Sequence, residues 1–323
     1  MNVLISGLQF LGYILVFPGF LFCFVCGMLL CGIDRKLVAR MQKRIGPPIL
    51  QPFYDFFKLC GKETIVPETA SKIIFLVSPL VGLAGITVIQ LFIPIKGFAA
   101  VSSSADIIVI LYLLLIPALS TITGGAASGS PYASVGVSRE MVMIISCELP
   151  LILVLLSVGK VVGAAMGTGV TFSMKAISEY QRMFGNLILR PSMVPAAIAF
   201  LMTIPGETGS HPFDSAEAET EICEGILAEY SGPPLAVYKL THGIKIFTMT
   251  SLFCALFLGA LGTGIVAVDA LIVFAISIVI VFFTVSLPHA VTARLKINQI
   301  FKFYWTAVSA IAAIGLIMAW YGL

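Results

Sequence analysis

The chain has 323 residues, of which 59% are hydrophobic and only 11% charged, with a mean hydropathy of +1.06. A soluble domain carries nearer a quarter charged residues, so these values exclude an ordinary soluble globule and make the chain an all-α, polytopic membrane protein. The net charge of +3 argues against a nucleic-acid partner, and seven cysteines, mostly inside apolar runs, suggest no disulfide framework.

A hydrocarbon core of about 30 Å needs roughly 20 apolar residues per helix. Eight segments meet that length, at approximately 8–32, 73–95, 105–123, 141–163, 187–205, 233–260, 265–287 and 301–321. Barrel strands are shorter and alternate in polarity, so helices are expected. The first segment lacks a basic n-region and runs straight into a full span, unlike a cleavable signal peptide. Residues 1–323 therefore read as a single integral membrane domain. About eight spans are expected, with short amphipathic helices on the cytoplasmic side and cytoplasmic loops at about 33–72, 124–140, 206–232 and 288–300.

Lys and Arg beside short loops set the orientation. One face carries Arg35, Lys36, Arg40, Lys43, Arg44, Lys58, Lys62, Lys72, Arg139, Arg294, Lys296 and Lys302. The other has only Lys96, Lys160, Lys175, Arg182 and Arg190. The first face is expected to be cytoplasmic, with both termini outside.

Taken in chain order, Cys23 and Cys26 form a CxxC followed by Cys31. In an apolar helix with no second pair they read as core packing, and no metal site is expected. The basic loop follows, "GIDRKLVARMQKRIGPPILQPFYDFFKLCGKE" (32–63). Arg35, Lys36, Arg40 and Arg44 extend the first span. Asp55, Lys58, Lys62 and Glu63 interleave with aromatics, as in an interfacial helix. The loop reads either as a stop signal with an in-plane anchor or as a docking platform for a cytosolic subunit.

Charges inside spans are scarce and costly, about 2.5–3.5 kcal/mol each at mid-bilayer. Asp106 and Asp269 mark span ends. Glu148, in "SCELPL", reads as the deepest acid and a relay candidate; Lys239, His242 and Lys245 stand at i, i+3 and i+6 in span six. No nucleophile elbow, phosphate loop or dinucleotide fingerprint occurs, so redox or hydrolytic chemistry is expected in another chain.

The segment "ETGSHPFDSAEAETEICEGILAEYSG" (207–232) gathers Glu207, Asp214, Glu217, Glu219, Glu221, Glu224 and Glu229, seven of sixteen acidic residues, with no Lys or Arg. "HPFD" is expected to break span five. Asp214 and Glu217 have the spacing of a capping box. On a helix from Ser215, Asp214, Glu217, Glu221 and Glu224 fall within about 80° of one another. Crowded, partly desolvated carboxylates do not all ionise, so some titrate near neutrality, as a proton relay requires.

Four motifs in order carry a resemblance. "DRKLVARMQKRIGP", "LQPFYDFFKLCGKE", "GAASGSPYASVGVSRE" followed by "ISCELPL", and "ETGSHPFDSAEAETEICEGILAEYSG" resemble the membrane subunit that joins the two arms of respiratory complex I. In quinone-reducing members a longer insertion separates "RRGPN" from "LLQP", an Arg stands where this chain has Ser210, and a Glu stands where it has His242. The compact "RIGPPILQP" is closer to the equivalent subunit of energy-converting membrane-bound [NiFe] hydrogenases and formate hydrogenlyase. The sulfur-reducing relatives and a quinone-site subunit remain alternatives. The resemblance implies no cofactor in this chain, with a [NiFe] centre and Fe–S clusters in partner subunits. It also implies hydrogenase-like large and small subunits on the cytoplasmic face and antiporter-like subunits in a prokaryotic inner membrane. Glu148 and the 207–229 acids would begin a carboxylate chain, with Arg139, beside Glu140, as a counter-charge at its entrance.

Overall fold

The computed structural model describes residues 11–95, 101 and 103–322. Lys96, counted above on the outer face, and the first residues of the 8–32 span lie outside them. The first span, Leu11–Met41, ends in α1 (Phe20–Met41); α2 (Gln51–Cys60) is short and amphipathic; α3 (Lys72–Phe92) and α4 (Asp106–Ala127) form a packed hairpin. Next come α5 (Pro131–Ala165), α6 (Met174–Phe184), α7 (Met193–Thr208) and α8 (Gly232–Phe257). The chain closes with α9 (Val266–Val291) and α10 (Ile297–Tyr321).

Among the described residues, seven helices are long and apolar enough to cross a membrane. The eighth expected span, 187–205, is realised differently. A 3-10 turn at Leu187–Leu189 and Pro191 interrupt it, and α7 has 16 residues, about 24 Å of rise against a core of about 30 Å. Gly209, at φ +64, ends α7 just ahead of "HPFD", where the break was expected. The expected loop at 124–140 contracts to 128–130. The reason is local: α4 runs on through Ala127, and Pro131 opens α5 at a position that needs no amide donor. At 35 residues, α5 is about 53 Å long and must project beyond the hydrocarbon.

The helix at the centre is α8. Within its most apolar window 94% of residues are buried by protein, against 28–50% for the other long helices. It packs on α1, α2, α3, α7 and α9. Because α8 meets protein rather than lipid, it carries Lys239, His242 and Lys245 at a lower hydropathy than the rest. Contact with α1 is backbone to backbone: a Cβ on Gly27 would stand 2.7 Å from the Gly243 carbonyl oxygen. The loops at this end of the bundle are tied together by Ser71 N–H to Ala127 O (2.9 Å), Ile65 N–H to Ser231 Oγ (3.1 Å) and Leu295 N–H to Pro212 O (3.1 Å).

Overpacking a backbone contact of this kind costs about 1–3 kcal/mol or more. Gly27→Val is therefore expected to lower the melting temperature of the purified chain measurably. Gly61→Val, where a Cβ has only ordinary contacts at 3.8 Å, is expected to leave it unchanged in the same thermal-shift measurement.

Candidate functional site

A cavity of about 270 Å³ lies between α1, α2, α4, α5, the end of α7 and α8, on the face expected from its Lys and Arg to be cytoplasmic. It collects acids from four separate places: Asp55 on α2, Glu140 on α5, Glu207 on α7, and Asp214 and Glu217 on the segment after α7. Facing them are Arg35, Lys239, His242 and Lys245. Deepest on α8 is Lys245, about 20 Å of helical rise from its N-terminus. Its ammonium lies 3.5 Å from Glu207 Oε2, with both side chains almost fully buried (9% and 11% exposed).

The acidic segment is not the continuous helix that its period suggests, and its carboxylates do not form one strip. Ser215–Glu217 is a 3-10 turn and Glu219–Ile222 a single helical turn. Ala218 is extended, while Cys223 and Glu224 take φ +52 and +65. Asp214 makes no side-chain capping bond, so the capping box does not form. The segment instead follows the surface of α5 closely: a Cβ on Gly136 would stand 2.8 Å from Ile226 N. Buried Ile222 and Ile226 anchor it, and their packing outweighs the propensity of its alanines and glutamates for helix.

Two arginines hold the segment in place. Arg139 donates to Glu221 Oε2 (2.6 Å) and to the Ser215 carbonyl (3.1 Å). Arg294, from the loop between α9 and α10, donates from Nε to Asp214 Oδ2 (2.9 Å) and reaches Thr220 Oγ1 (3.3 Å). Its Nη2 lies 3.3 Å from His211 Nε2, and the His211 ring stacks on His289 at 4.5 Å. Burial, then the neighbouring His289 and Arg294, lower the His211 pKa against the pull of Asp214. Nε2 also lies 3.1 Å from Asp214 Oδ2, so this edge of the ring sits between the Asp214 carboxylate and the Arg294 guanidinium. On the far side of His289, Ser286 donates to Asp34 (2.6 Å). Sequence reading missed this clasp. Arg294 figured only as an orientation charge, and His211 and His289 are 78 positions apart.

Of the expected relay residues, Glu140, Glu207, Asp214 and Glu217 meet in the cavity. Glu219, Glu221 and Glu224 are exposed outside it, and Glu229 is half-buried elsewhere. Glu148 is half-buried eight residues along α5 from Glu140 and does not line the cavity. Lys239 stands at the mouth, near enough to Asp55 and Glu217 to act on both electrostatically. Among the expected docking residues, Arg35 and Asp55 pair with each other at 3.0 Å, joining α1 to α2. Lys36, Arg40, Arg44, Lys58, Lys62 and Glu63 make no ion pair with any described residue. Among the described residues no group of three His, Cys, Asp or Glu is arranged to hold a metal ion.

Glu217 lines the cavity at its mouth and is itself exposed. Dense protein on its inner side first, then the carboxylates of Glu140, Asp214 and Glu224, raise its pKa from 4.5 to about 7, against a lowering by Lys239. A raised acid favours the folded state most below pH 4.5, and that contribution is lost as pH rises through about 7. Infrared difference spectra are expected to show a protonated-carboxyl band that disappears between about pH 6 and 8 and is absent in Glu217→Gln. An unchanged band in that variant would assign the titration to another group.

Known proteins share this architecture over nearly the whole chain. The family model for NADH dehydrogenase matches residues 14–320. Hydrogenase-4 component C of Escherichia coli (strain K12) is 34% identical over 291 residues, covering 88% of this chain and 89% of its own length. An NADH-quinone oxidoreductase subunit of Thermomicrobium roseum is 33% identical over 327 residues, covering 89% and 90%. A chain in the structure of a membrane-bound sulfane sulfur reductase, an archaeal respiratory membrane complex, superposes with a TM-score of 0.85 at 29% identity, over 97% of this chain and 99% of that one. The chain is a multi-pass membrane protein of the NADH dehydrogenase family, to which both the NADH-quinone oxidoreductase subunit and component C of hydrogenase-4 are similar.

Proposed function

We propose that the chain is the membrane-anchor and coupling subunit of an ion-translocating, membrane-bound [NiFe] hydrogenase complex. The observation that carries this reading is the cavity, where five acids from four places face the buried Lys245 and the exposed Arg35 and Lys239, and where one acid titrates near pH 7. A redox arm seated over the cavity mouth would change the charge on this cluster at each turnover. The cluster would pass the change on through Glu207 and Glu148 towards antiporter-like subunits in the membrane. The cytoplasmic helix ends and loops would supply the seat, with Lys36, Arg40, Lys58 and Lys62 open to an acidic partner surface.

In this reading the chain holds no cofactor. The [NiFe] centre and Fe–S clusters belong to hydrogenase-like large and small subunits on the cytoplasmic face of a prokaryotic inner membrane, with both termini of this chain outside. Two features support the hydrogenase branch: the compact "RIGPPILQP" and the similarity to hydrogenase-4 component C. The sulfane sulfur reductase likeness favours a second reading, in which the same subunit serves a sulfur-reducing arm.

Purification of the complex through a tag on this chain separates these readings. A hydrogenase complex is expected to yield a co-purifying large subunit with two CxxC pairs, and hydrogen evolution from a reduced soluble donor that is insensitive to quinone-site inhibitors. Sulfane sulfur reduction without hydrogen evolution would move the chain to the second reading. Inhibitor-sensitive quinone reduction would contradict both.

A further inference from the structure

Along α8 the cytoplasmic cavity reaches inward to Lys245. A second cavity, of about 20 Å³, lies at the outer end of the same helix, lined by Ser251 and Cys254 of α8, Ile93 after α3 and Asp269 of α9. Lys245 and Ser251 are six residues apart, a rise of about 9 Å. The septum between the two cavities is thus under a third of the hydrocarbon thickness.

That septum holds polar groups with unmet hydrogen-bonding capacity. Thr248 stands at its midpoint, fully buried, and its hydroxyl has no partner among the described residues. Thr241 and Thr250, on the same helix, both donate to carbonyls in the preceding turn. One turn beyond Thr248, Ser251 Oγ lies 3.1 Å from Gln90 Oε1, which reaches in from α3. Gln90 is also fully buried, and its amide nitrogen has no partner among the described residues. Exchanging the two ends of the amide leaves one of them unpaired either way. An unsatisfied buried polar group costs about 1–3 kcal/mol, and a buried water is its usual remedy. The outer cavity is large enough for one, since a water needs about 10–15 Å³.

We propose that Thr248, Gln90 and Ser251 line a hydrated constriction joining the cytoplasmic cavity at Lys245 to the outer cavity at Asp269, a water-filled proton route across this subunit. It runs outward along α8, whereas the coupling described above runs laterally, and it stands whether or not that coupling exists. At the cytoplasmic end the Lys245 ammonium is paired with the Glu207 carboxylate at 3.5 Å, and Glu207 and the His242 imidazole are groups that exchange protons with water. At the outer end the Asp269 carboxylate is held by the Thr263 and Gly264 amides (2.6 and 3.1 Å).

Silver ion, which is small and reacts with thiolates only where water reaches them, tests the route from the outer side. In the intact complex, on a Cys254→Ala background, the variants Ser251→Cys, Thr248→Cys and Gln90→Cys are compared with Met249→Cys, a fully buried neighbour on another face of α8. The readout is protection of each thiol from alkylation after denaturation. Thr248→Cys and Gln90→Cys are expected to be protected at least about tenfold faster than Met249→Cys. Reaction at Ser251→Cys alone would mean a wet outer cavity and a dry septum, and would overturn the proposal. Equal, slow rates at all four positions would overturn it as well.

Discussion

The ion pair between Lys245 and Glu207 is the constraint around which the rest is arranged. Taking a Lys and a Glu to mid-membrane costs about 5–7 kcal/mol together on the lenient insertion scale. At 3.5 Å their attraction returns on the order of 5 kcal/mol with an effective dielectric constant of about 20. The pair is close to break-even, so it persists only where protein and a polar cavity replace lipid. Enclosing α8 among α1, α2, α3, α7 and α9 meets that need. The Gly27–Gly243 contact and the polar cavity wall follow from the same requirement.

A balance this fine makes the pair responsive. Removing charge from one partner strands the other, a penalty of about 3–5 kcal/mol in buried pairs. In the coupling proposed here, a change of charge at the cavity mouth would reach the pair without a large movement. Glu217, exposed at the mouth and with its pKa raised to about 7 by surrounding protein and its acidic neighbours, is the group there best suited to change charge. Arg139 and Arg294 contribute by fixing the acidic segment, so that Asp214 faces inward, Glu217 lines the cavity at its exposed mouth, and Glu219 and Glu221 lie outside the cavity in solvent.

Much of this was legible in the sequence. Low charge and long apolar runs carry the all-helical membrane fold, and three acids of the 207–229 concentration, Glu207, Asp214 and Glu217, line the cavity. Glu140, Glu207, Asp214, Glu217, Lys239, His242 and Lys245 were all picked out and do converge. What failed was geometry that periodicity cannot encode. The positive φ angles at Cys223 and Glu224 and the extended Ala218 break the helix that composition favours, because Ile222 and Ile226 pack better on α5. Glu148 reads as the deepest acid in one dimension, yet α5 turns it away from the cavity. Arg294 and the His211–His289 stack depend on two loops 80 residues apart meeting, which a single sequence does not display.

The most direct test of coupling through the buried pair is the number of ions translocated per electron pair by the reconstituted complex carrying Glu207→Gln. Glu219→Gln, an exposed acid of the same segment, serves as its control. Coupling through the pair predicts that Glu207→Gln cuts the ratio several-fold while electron transfer from a soluble donor continues, and that Glu219→Gln leaves both intact. An unchanged ratio in Glu207→Gln would contradict it.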